Sequence, residues 1–279
     1  MPEWSNGTVL KTVGPSRVPW VRIPPSPPMK NLQSKQIIIK DLLVNYYFKA
    51  GDTQRPVLLF LHGWRSEGRI WQKVMAHFSE HNIYAIDFPG FGASDVPKND
   101  FYLQDYADVV NDFIKKNNLE NIIIIGHSFG GRVGIKLASD SPEYLKKLVL
   151  VDSAGIKIKK NNFKKVIAKI VKPIFKLPFM SPVRTKIYQS MGAEDYIATP
   201  KLKQTFINII NENLAAILPK IKIPTLLIWG EKDEDTPLEY ARIIEQRISG
   251  SKLVILKGAG HFSFLDKEEE FVDNLQKFL

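Results

Sequence analysis

The chain has 279 residues, of which 44% are hydrophobic, and 39 Lys and Arg against 29 Asp and Glu give a formal net charge of +10. This length fits one α/β core with an insertion better than two independent domains, and no stretch reaches the roughly 18–20 apolar residues that a membrane-spanning helix needs. Cysteine is absent, which excludes disulfides, a thiol nucleophile and a thiolate metal site, and the five histidines are not clustered at the spacing of metal ligands.

The first 35 residues are predicted to form a disordered or non-native tail. Residues 18–28 are dense in proline and show no helical or strand periodicity, and Met29 follows them as a natural start. The segment lacks the apolar core of roughly 7–15 residues that a secretory signal peptide contains. We interpret it as a tail from a start codon assigned too early, in preference to a functional proline-rich ligand.

From residue 36 onwards, short apolar runs alternate with segments of helical periodicity, which is typical of an α/β core. The core is predicted to comprise residues 36–155 and 221–279, with residues 156–220 inserted as a lid. The predicted strands lie at about 36–40, 42–49, 56–61, 83–86, 121–125, 148–152, 225–229 and 253–256, and the predicted helices at about 70–79, 101–116, 129–140, 238–248 and 267–279. In an open parallel sheet the loops that follow the strands gather at one edge, so residues far apart in sequence can meet there.

Two of these strands run into glycine-containing turns before the middle of the chain. The first enters the turn His62-Gly63-Trp64, which can aim the backbone N–H of Trp64 at a developing oxyanion, while His62 is interpreted as fixing the loop by hydrogen bonding rather than as a base. The second ends at Asp87, and Gly90 and Gly92 follow it. That second turn lacks the third glycine of a dinucleotide-binding fingerprint, and we interpret it as structural.

The strand at 121–125 is followed by Gly126-His-Ser128-Phe129-Gly130 and then by a helical segment. A serine on a sharp strand-to-helix turn projects its hydroxyl away from the backbone, and glycines on either side remove side chains that would collide there. The N–H of Phe129, at the start of the helix, can face an oxyanion. The pattern indicates a nucleophilic Ser128, although an incidental serine in a glycine-rich turn has the same letters.

A candidate acid, Asp233, follows the strand at 225–229 in a loop that ends at Pro237. An acid in this place can orient an imidazole, but acids near turns are also common helix caps. Asp235 is the better cap candidate for the helix that begins near Pro237, which leaves Asp233 for the histidine. Asp152, at the end of the strand 148–152, is the rival candidate for the acid.

A candidate base, His261, lies in a glycine-rich loop after the last strand. Of the other histidines, His77 and His81 lie on or beside an ordinary helix, and His62 and His127 belong to other motifs. The chain order Ser128, Asp233, His261 is the nucleophile–acid–base order of α/β-hydrolases and differs from that of the other serine-triad folds.

The inserted lid carries the basic charge of the chain. Residues 156–220 contain 12 Lys and 1 Arg against 3 acidic residues, so that 12 + 1 − 3 = +10, which equals the charge of the whole chain. Residues 163–174 place apolar side chains at helical spacing, with Lys164, Lys165, Lys169 and Lys172 on the other face and Pro173 near the end of the helix.

Three interpretations of this lid compete. Its apolar face covers the active site while its lysines stay solvated, or it docks on anionic membrane lipid, or it steers anionic substrates toward the pocket; the first is favoured. Nucleic acid is not expected as a partner, because no stacking platform or binding motif accompanies the charge. We expect a cytoplasmic protein, with membrane-surface contact as the alternative for the lid.

Taken together, these motifs resemble the α/β-hydrolase superfamily, and within it the lid-bearing esterases and carbon–carbon-bond hydrolases. The resemblance runs from about residue 36 to 279 and rests on His62-Gly-Trp64, Asp87 to Ser94, Gly126 to Gly131, Gly230 to Pro237 and Gly258-Ala-Gly-His261. It implies a mostly parallel eight-stranded sheet with helices on both faces, a helical lid after the sixth strand, a Ser-His-Asp triad and no cofactor. It argues against haloalkane dehalogenase and epoxide hydrolase activity, because those relatives have an aspartate where this chain has Ser128.

The resemblance and the motifs together predict a serine hydrolase. Ser128 would attack an ester, thioester or related carbonyl of a small, apolar acyl substrate, with His261 as base, Asp233 as acid and the N–H groups of Trp64 and Phe129 as oxyanion donors. Two alternatives stay open at this point: a hydrolase of carbon–carbon bonds in vinylogous diketone acids, and a ligand receptor that keeps a slow, vestigial triad.

Overall fold

In the described part of the chain, eight strands form a single sheet in the order β1-β2-β4-β3-β5-β6-β7-β8. The structure is a computed structural model that describes residues 31–157 and 199–279. The strands are β1 (Gln33–Ile39), β2 (Leu42–Lys49), β3 (Val57–Leu61), β4 (Ile83–Ile86), β5 (Ile122–His127), β6 (Leu145–Val151), β7 (Thr225–Gly230) and β8 (Lys252–Leu256). β1 pairs antiparallel with β2 and β2 antiparallel with β4, and all other neighbours are parallel, which confirms the mostly parallel eight-stranded sheet.

Helices connect the parallel strands. The α-helices of the described residues are α1 (Gln72–Ala76), α2 (Leu103–Lys116), α3 (Phe129–Ser139), α4 (Lys203–Asn211), α5 (Leu238–Arg247), α6 (Ser263–Asp266) and α7 (Glu268–Phe278). Short 3₁₀ helices span Gly68–Trp71, Pro200–Leu202, Leu214–Ala216 and Leu218–Lys220. Where a helix was predicted at 70–79, the structure has a 3₁₀ turn that continues into the five-residue α1.

The first strand begins at Gln33, three residues earlier than its apolar pattern predicts. β1 is the edge strand of the sheet, and Gln33, Ser34 and Lys35 pair with β2 through their backbones while their side chains stay exposed. Apolar periodicity does not detect such residues, because an edge strand can extend through backbone hydrogen bonds alone.

Both faces of the sheet are covered by helices, and this explains the continuous apolar runs of its central strands. Every residue of β5 is buried, as expected for a central parallel strand. Because side chains alternate along a strand, Ile122 and Ile124 pack in the core beneath α2, α3 and α5, whereas Ile123 and Ile125 pack in the core with α1, α6 and α7.

The topology brings the candidate site residues to one edge of the sheet. β3, β5, β6, β7 and β8 are consecutive neighbours and run parallel, so the loops after them share the carboxyl edge. His62 follows β3, Ser128 follows β5, Asp152 follows β6, Asp233 follows β7 and His261 follows β8.

The lid is predicted after β6, from residue 156 onwards. The predicted lid helix at 163–174 lies outside the described residues, as do residues 1–30 of the predicted tail. The described residues that precede β7 include α4. The Phe101 N–H donates to Oγ1 of Thr205 in this helix at 2.9 Å, which holds α4 against the core. Within the described ranges, no helix has the length and apolar character to span a membrane.

Candidate active site

Ser128 lies on a strained turn between β5 and α3. Its φ of 50° and ψ of −108° fall outside the regions that L-residues normally adopt, at a cost of about 1–3 kcal/mol. The turn is held by a hydrogen bond of 3.0 Å from the Ser128 N–H to the carbonyl of Val151 on the neighbouring strand. A Cβ atom at Gly126 would lie 2.5 Å from the carbonyl oxygen of Gly130, so the turn closes only with glycine there.

Phe129 is the first residue of α3, directly after the serine. The N–H groups of a first helical turn have no partner within the helix and carry the positive end of its dipole. The buried ring of Phe129 packs against the rings of Trp64, Phe88 and Tyr106, with centroids 4.9–5.3 Å away. These contacts fix the backbone of Phe129 beside the serine.

The turn after β3 is fixed by His62, as the sequence predicts. The Phe88 N–H donates to His62 Nε2 at 2.9 Å, so Nδ1 carries the ring proton and donates to the Gly63 carbonyl at 2.7 Å. Burial lowers the pKa of His62 despite the nearby charge of Asp87, which keeps the ring neutral. Because a trans peptide is planar, a Gly63 carbonyl that faces His62 directs the N–H of Trp64 the opposite way.

This turn lies directly against the serine. A Cβ atom at Gly63 would lie 3.4 Å from Ser128 Cβ and 2.8 Å from His127 Nδ1. A side chain at residue 63 would therefore collide with the ring of His127, next to Ser128. The structure thus brings the backbone of the Trp64 turn next to Ser128, where a second N–H donor is predicted.

Asp233 and His261 bond to each other across the loops that follow β7 and β8. His261 Nδ1 lies 2.9 Å from Asp233 Oδ2. The other carboxylate oxygen accepts the N–H groups of Asp235 and Thr236, both at 2.9 Å, and the Thr236 hydroxyl donates to Oδ2 at 2.6 Å. The carboxylate is buried with four donors, which hold it in one orientation toward the imidazole.

The electrostatics of this pair favour the cationic imidazole. Burial alone lowers the pKa of His261, but the hydrogen bond and charge of Asp233, followed by the charges of Asp235 and Asp152, outweigh it and raise the pKa above its ordinary value. A base with this environment is well placed to accept a proton during a reaction.

His127 joins the loop that carries His261 to the turn that carries Ser128. The sequence did not predict this contact. Its Nε2 donates to the backbone carbonyl of His261 at 2.7 Å, and the two rings lie 4.8 Å apart. Burial, with the neighbouring charge of His261, holds the pKa of His127 well below its usual range. The residue immediately before Ser128 therefore fixes the backbone of His261 and stays neutral.

Asp152, the rival acid, points elsewhere. Its carboxylate accepts the Gly230 N–H at 2.7 Å and the Ser263 hydroxyl at 2.5 Å. The imidazole proton of His261 is instead directed at Asp233.

The predicted capping role of Asp235 is wrong. α5 begins after Pro237, which occupies the N-cap position, and no side chain caps the helix. Asp235 is exposed. The carboxylate of Asp233 accepts the N–H groups of Asp235 and Thr236, which turns the chain before it reaches Pro237, and in the first turn of the helix the Tyr240 N–H donates to the Pro237 carbonyl at 2.7 Å.

The remaining histidines and the second glycine turn have structural contacts. His77 lies 3.0 Å from the carboxylate of Glu268, and His81 contacts the carbonyl of Pro56 at the other end of β3. Asp87 accepts the Gly68 N–H at 2.6 Å, and a Cβ atom on Gly92 would collide with its carboxylate. These contacts agree with the structural interpretation of the glycines that follow Asp87.

In the described part of the chain, one group of three side chains has the spacing of a metal site. Ligand atoms of Asp233, Asp235 and His261 all lie within 4.8 Å of one another. The buried Asp233 and the half-buried His261 already bond to each other, and Asp235 is exposed.

Comparison with known proteins identifies the fold family of the chain. The family model described as alpha/beta hydrolase fold matches residues 56–179 and 183–268. The chain is 28% identical over 239 residues to pimeloyl-[acyl-carrier protein] methyl ester esterase of Nitrosomonas europaea, covering 78% of this chain and 93% of that protein. It is 24% identical over 253 residues to Lipase 1 of Psychrobacter immobilis, covering 83% of this chain and 79% of that protein.

The solved structures agree at the level of the fold. A membrane phospholipase A, described as a bacterial virulence factor, matches with a TM-score of 0.72 at 23% identity, over 89% of this chain and 86% of that one. The family match covers both halves of the core and includes Ser128, Asp233 and His261. The chain is therefore a hydrolase enzyme and belongs to the alpha/beta hydrolase fold family.

Proposed function

We propose that this hydrolase cleaves an ester or related carbonyl compound through an acyl-enzyme on Ser128, with His261 as the base and Asp233 as the acid that orients it. The observation that carries the proposal is the 2.9 Å contact between His261 Nδ1 and Asp233 Oδ2, in a loop that His127 joins to the strained turn of Ser128. The contact assigns the proton to Nδ1 and leaves Nε2 as the acceptor nitrogen of the imidazole.

The reaction proceeds in two halves. In the first, His261 Nε2 takes the proton of the Ser128 hydroxyl as its Oγ attacks the carbonyl carbon, and returns that proton to the leaving alcohol. In the second, Nε2 takes a proton from water as the water oxygen attacks the acyl carbon. It gives that proton to Ser128 Oγ as the acid leaves, which restores the serine. Asp233 stays ionised throughout and stabilises the imidazolium in both halves.

The developing oxyanion is held by the backbone N–H groups of Trp64 and Phe129. The His62–Gly63 hydrogen bond supports this role for Trp64, and the position of Phe129 at the start of α3 supports it for the second donor. Loss of one such donor costs about 2.7–4 kcal/mol of transition-state stabilisation.

The acyl side of the substrate is apolar. The ring of Trp64 packs against Phe91, Phe129 and Phe206 with centroid distances of 4.7–5.3 Å, so aromatic surface surrounds the turn that carries the oxyanion donor. The two relatives above are named a methyl ester esterase and a lipase, which supports an ester as the bond that is cleaved.

The test is Ser128→Ala against the matched control Ser139→Ala. Ser139 lies at the other end of α3, and its hydroxyl donates to the Lys136 carbonyl. We expect Ser128→Ala to abolish both labelling by a fluorophosphonate and turnover of p-nitrophenyl esters of increasing acyl length, whereas Ser139→Ala keeps both.

A fluorophosphonate-labelled peptide that does not contain Ser128, or normal turnover by Ser128→Ala, would contradict the mechanism. Labelling of Ser128 without turnover of any ester in the panel would also contradict it, and would point to a receptor with a slow triad.

A further inference from the structure

The carboxylate of Asp152 joins the loop of the acid to the loop of the base. Its Oδ1 accepts the Gly230 N–H at 2.7 Å, and its Oδ2 accepts the Ser263 hydroxyl at 2.5 Å and the Ser263 N–H at 3.2 Å. Gly230 lies three residues before Asp233, and Ser263 lies two residues after His261. One buried side chain therefore fixes both loops that form the acid–base pair.

The backbone of Asp152 takes part in the same arrangement. Its N–H donates to the Ile228 carbonyl of β7 at 3.0 Å, and its carbonyl oxygen lies 3.0 Å from the hydroxyl of Thr236, which donates to Asp233. A φ of 44° at the end of β6 turns the residue out of the strand. Aspartate tolerates this left-handed conformation better than most residues do.

A carboxylate in this place is expensive for the fold. Asp152 and Ser263 have no exposed surface, and burial of a carboxylate is tolerated only where hydrogen bonds compensate. Burial raises the pKa of Asp152 to about 7, against the hydrogen bonds from Ser263 and Gly230 that lower it. An apolar residue here would leave the Gly230 N–H and the N–H and hydroxyl of Ser263 without acceptors, so the carboxylate holds the two loops in place rather than merely filling space.

We propose that Asp152 and Ser263 are positioning residues, which hold the His261 loop against the Asp233 loop while the imidazole gains and loses its proton. This role rests on the proposed function, since it concerns the base of that reaction. The hydrogen bonds between Asp152 and Ser263 fix the backbone beside His261, and the hydrogen bond between Asp152 and Gly230 fixes the loop of Asp233. Neither Asp152 nor Ser263 touches the reacting atoms.

Asp152 also acts on His261 through its charge. The charged and titratable groups that face His261 are Asp233, Asp235, Asp152 and His127, and the three carboxylates all raise the pKa of the imidazole. Asp152 in turn is faced by Asp233 and His261. Removing the charge of Asp152 while keeping its shape should lower the pKa of His261, which a purely structural role would leave unchanged.

The experiment compares Ser263→Ala, Ser263→Thr and Asp152→Asn with the control Thr225→Val. Thr225 is also buried and lies at the opposite end of β7, where its hydroxyl donates to the Ile223 carbonyl at 3.0 Å. Each change at 263 or 225 removes or keeps one buried hydroxyl. The readouts are kcat and KM for p-nitrophenyl acetate, the Tm, and the pKa of the His261 imidazole from NMR titration.

We expect Ser263→Ala to lower kcat about tenfold with little change in KM, because misplacing a catalytic group by about 1 Å can cost about a hundredfold. Ser263→Thr, which keeps the hydroxyl, should recover most of that loss, and Thr225→Val should keep the wild-type kcat. Asp152→Asn should lower both kcat and the pKa of His261.

The proposal is overturned if Ser263→Ala keeps the wild-type kcat, if Thr225→Val loses as much activity as Ser263→Ala, or if the pKa of His261 is the same in Asp152→Asn and wild type. The NMR titration needs no turnover. A lowered pKa of His261 in a protein whose Ser128 takes no label would therefore support the link to Asp152 while refuting the proposed hydrolysis.

Discussion

Two neighbouring strands, β6 and β7, are each followed by a loop with a buried aspartate, and the two carboxylates face different partners. Asp233 accepts the imidazole of His261, whereas Asp152 accepts the backbone of Gly230 and the hydroxyl and N–H of Ser263. Both side chains are buried and both have a full set of donors. Residue type and burial therefore do not distinguish the acid of the site from its neighbour.

The difference lies in how far each loop travels before its aspartate. Asp152 follows the last residue of β6 directly and stays beneath the site, bonded to the adjacent strand. Asp233 comes three residues after the end of β7, and its carboxylate reaches the histidine loop above the sheet edge. In this arrangement the longer loop carries the group that faces the imidazole, and the shorter one carries the group that supports it.

The largest expected effect that tests this comparison is the loss of Asp233. Asp233→Asn should lower kcat by about 10⁴-fold, because the amide no longer fixes the tautomer of the imidazole or stabilises its cation. Asp152→Asn should lower kcat by about tenfold, as expected for a residue that acts through positioning. Steady-state turnover of p-nitrophenyl acetate by both variants, at matched Tm, measures the difference.

The distinction between the two aspartates is wrong if Asp152→Asn lowers kcat more than Asp233→Asn does at equal stability. In that case Asp152 would be the acid that orients His261, and the hydrogen bond to Asp233 would be secondary.

The sequence predicts the parts of the site that depend on strand order and on glycine. The turn at Ser128 is predicted because glycines two residues before and two residues after it leave room for it, and a Cβ atom at Gly126 would indeed collide with the Gly130 carbonyl. The meeting of Asp233 and His261 was predicted because both follow strands that are neighbours in a parallel sheet.

The hydrogen bonds between loops were not predictable in the same way. Two such hydrogen bonds join residues more than a hundred positions apart: that of His127 to the His261 carbonyl and that of Ser263 to Asp152. No local sequence pattern predicts either of them. The capping prediction for Asp235 failed because the helix begins only after Pro237, and Asp235 lies in the preceding turn, where its own N–H donates to the Asp233 carboxylate. Such contacts depend on the φ and ψ of individual loop residues, to which apolar periodicity is blind.

A smaller effect concerns stability and pH. Asp152 has a pKa of about 7 in the fold, while an unfolded aspartate titrates near about 3.9. Because this pKa is raised on folding, the contribution of the group to stability is present below about pH 4 and is lost as the pH rises through about 7. Asp152→Asn lacks this titration and therefore does not lose this stability as the pH rises. It should also lower the pKa of His261, which reduces the loss of stability that the raised pKa of this histidine causes at higher pH.

The Tm of Asp152→Asn should therefore improve relative to wild type as the pH rises from about 5 to about 8. Scanning calorimetry at several pH values, with Thr225→Val as the control, measures the trend. Parallel curves of Tm against pH for Asp152→Asn and wild type would show that the carboxyl of Asp152 does not titrate differently in the folded and unfolded states.

The smallest effect is expected for the third carboxylate near the imidazole, that of Asp235. This side chain is exposed and raises the pKa of His261 only through its charge, so Asp235→Asn should leave kcat at its plateau unchanged. The acid limb of the pH profile should move to slightly lower pH, because the imidazole loses one neighbouring negative charge. Salt at about 1 M should remove this difference, since charges exposed to solvent are screened over about 3 Å at that ionic strength. The same salt should leave the shift caused by Asp152→Asn largely in place, because that carboxylate is shielded from solvent. Equal salt sensitivity of the two shifts would place Asp152 in contact with water and so remove the distinction between the buried and the exposed carboxylates around His261.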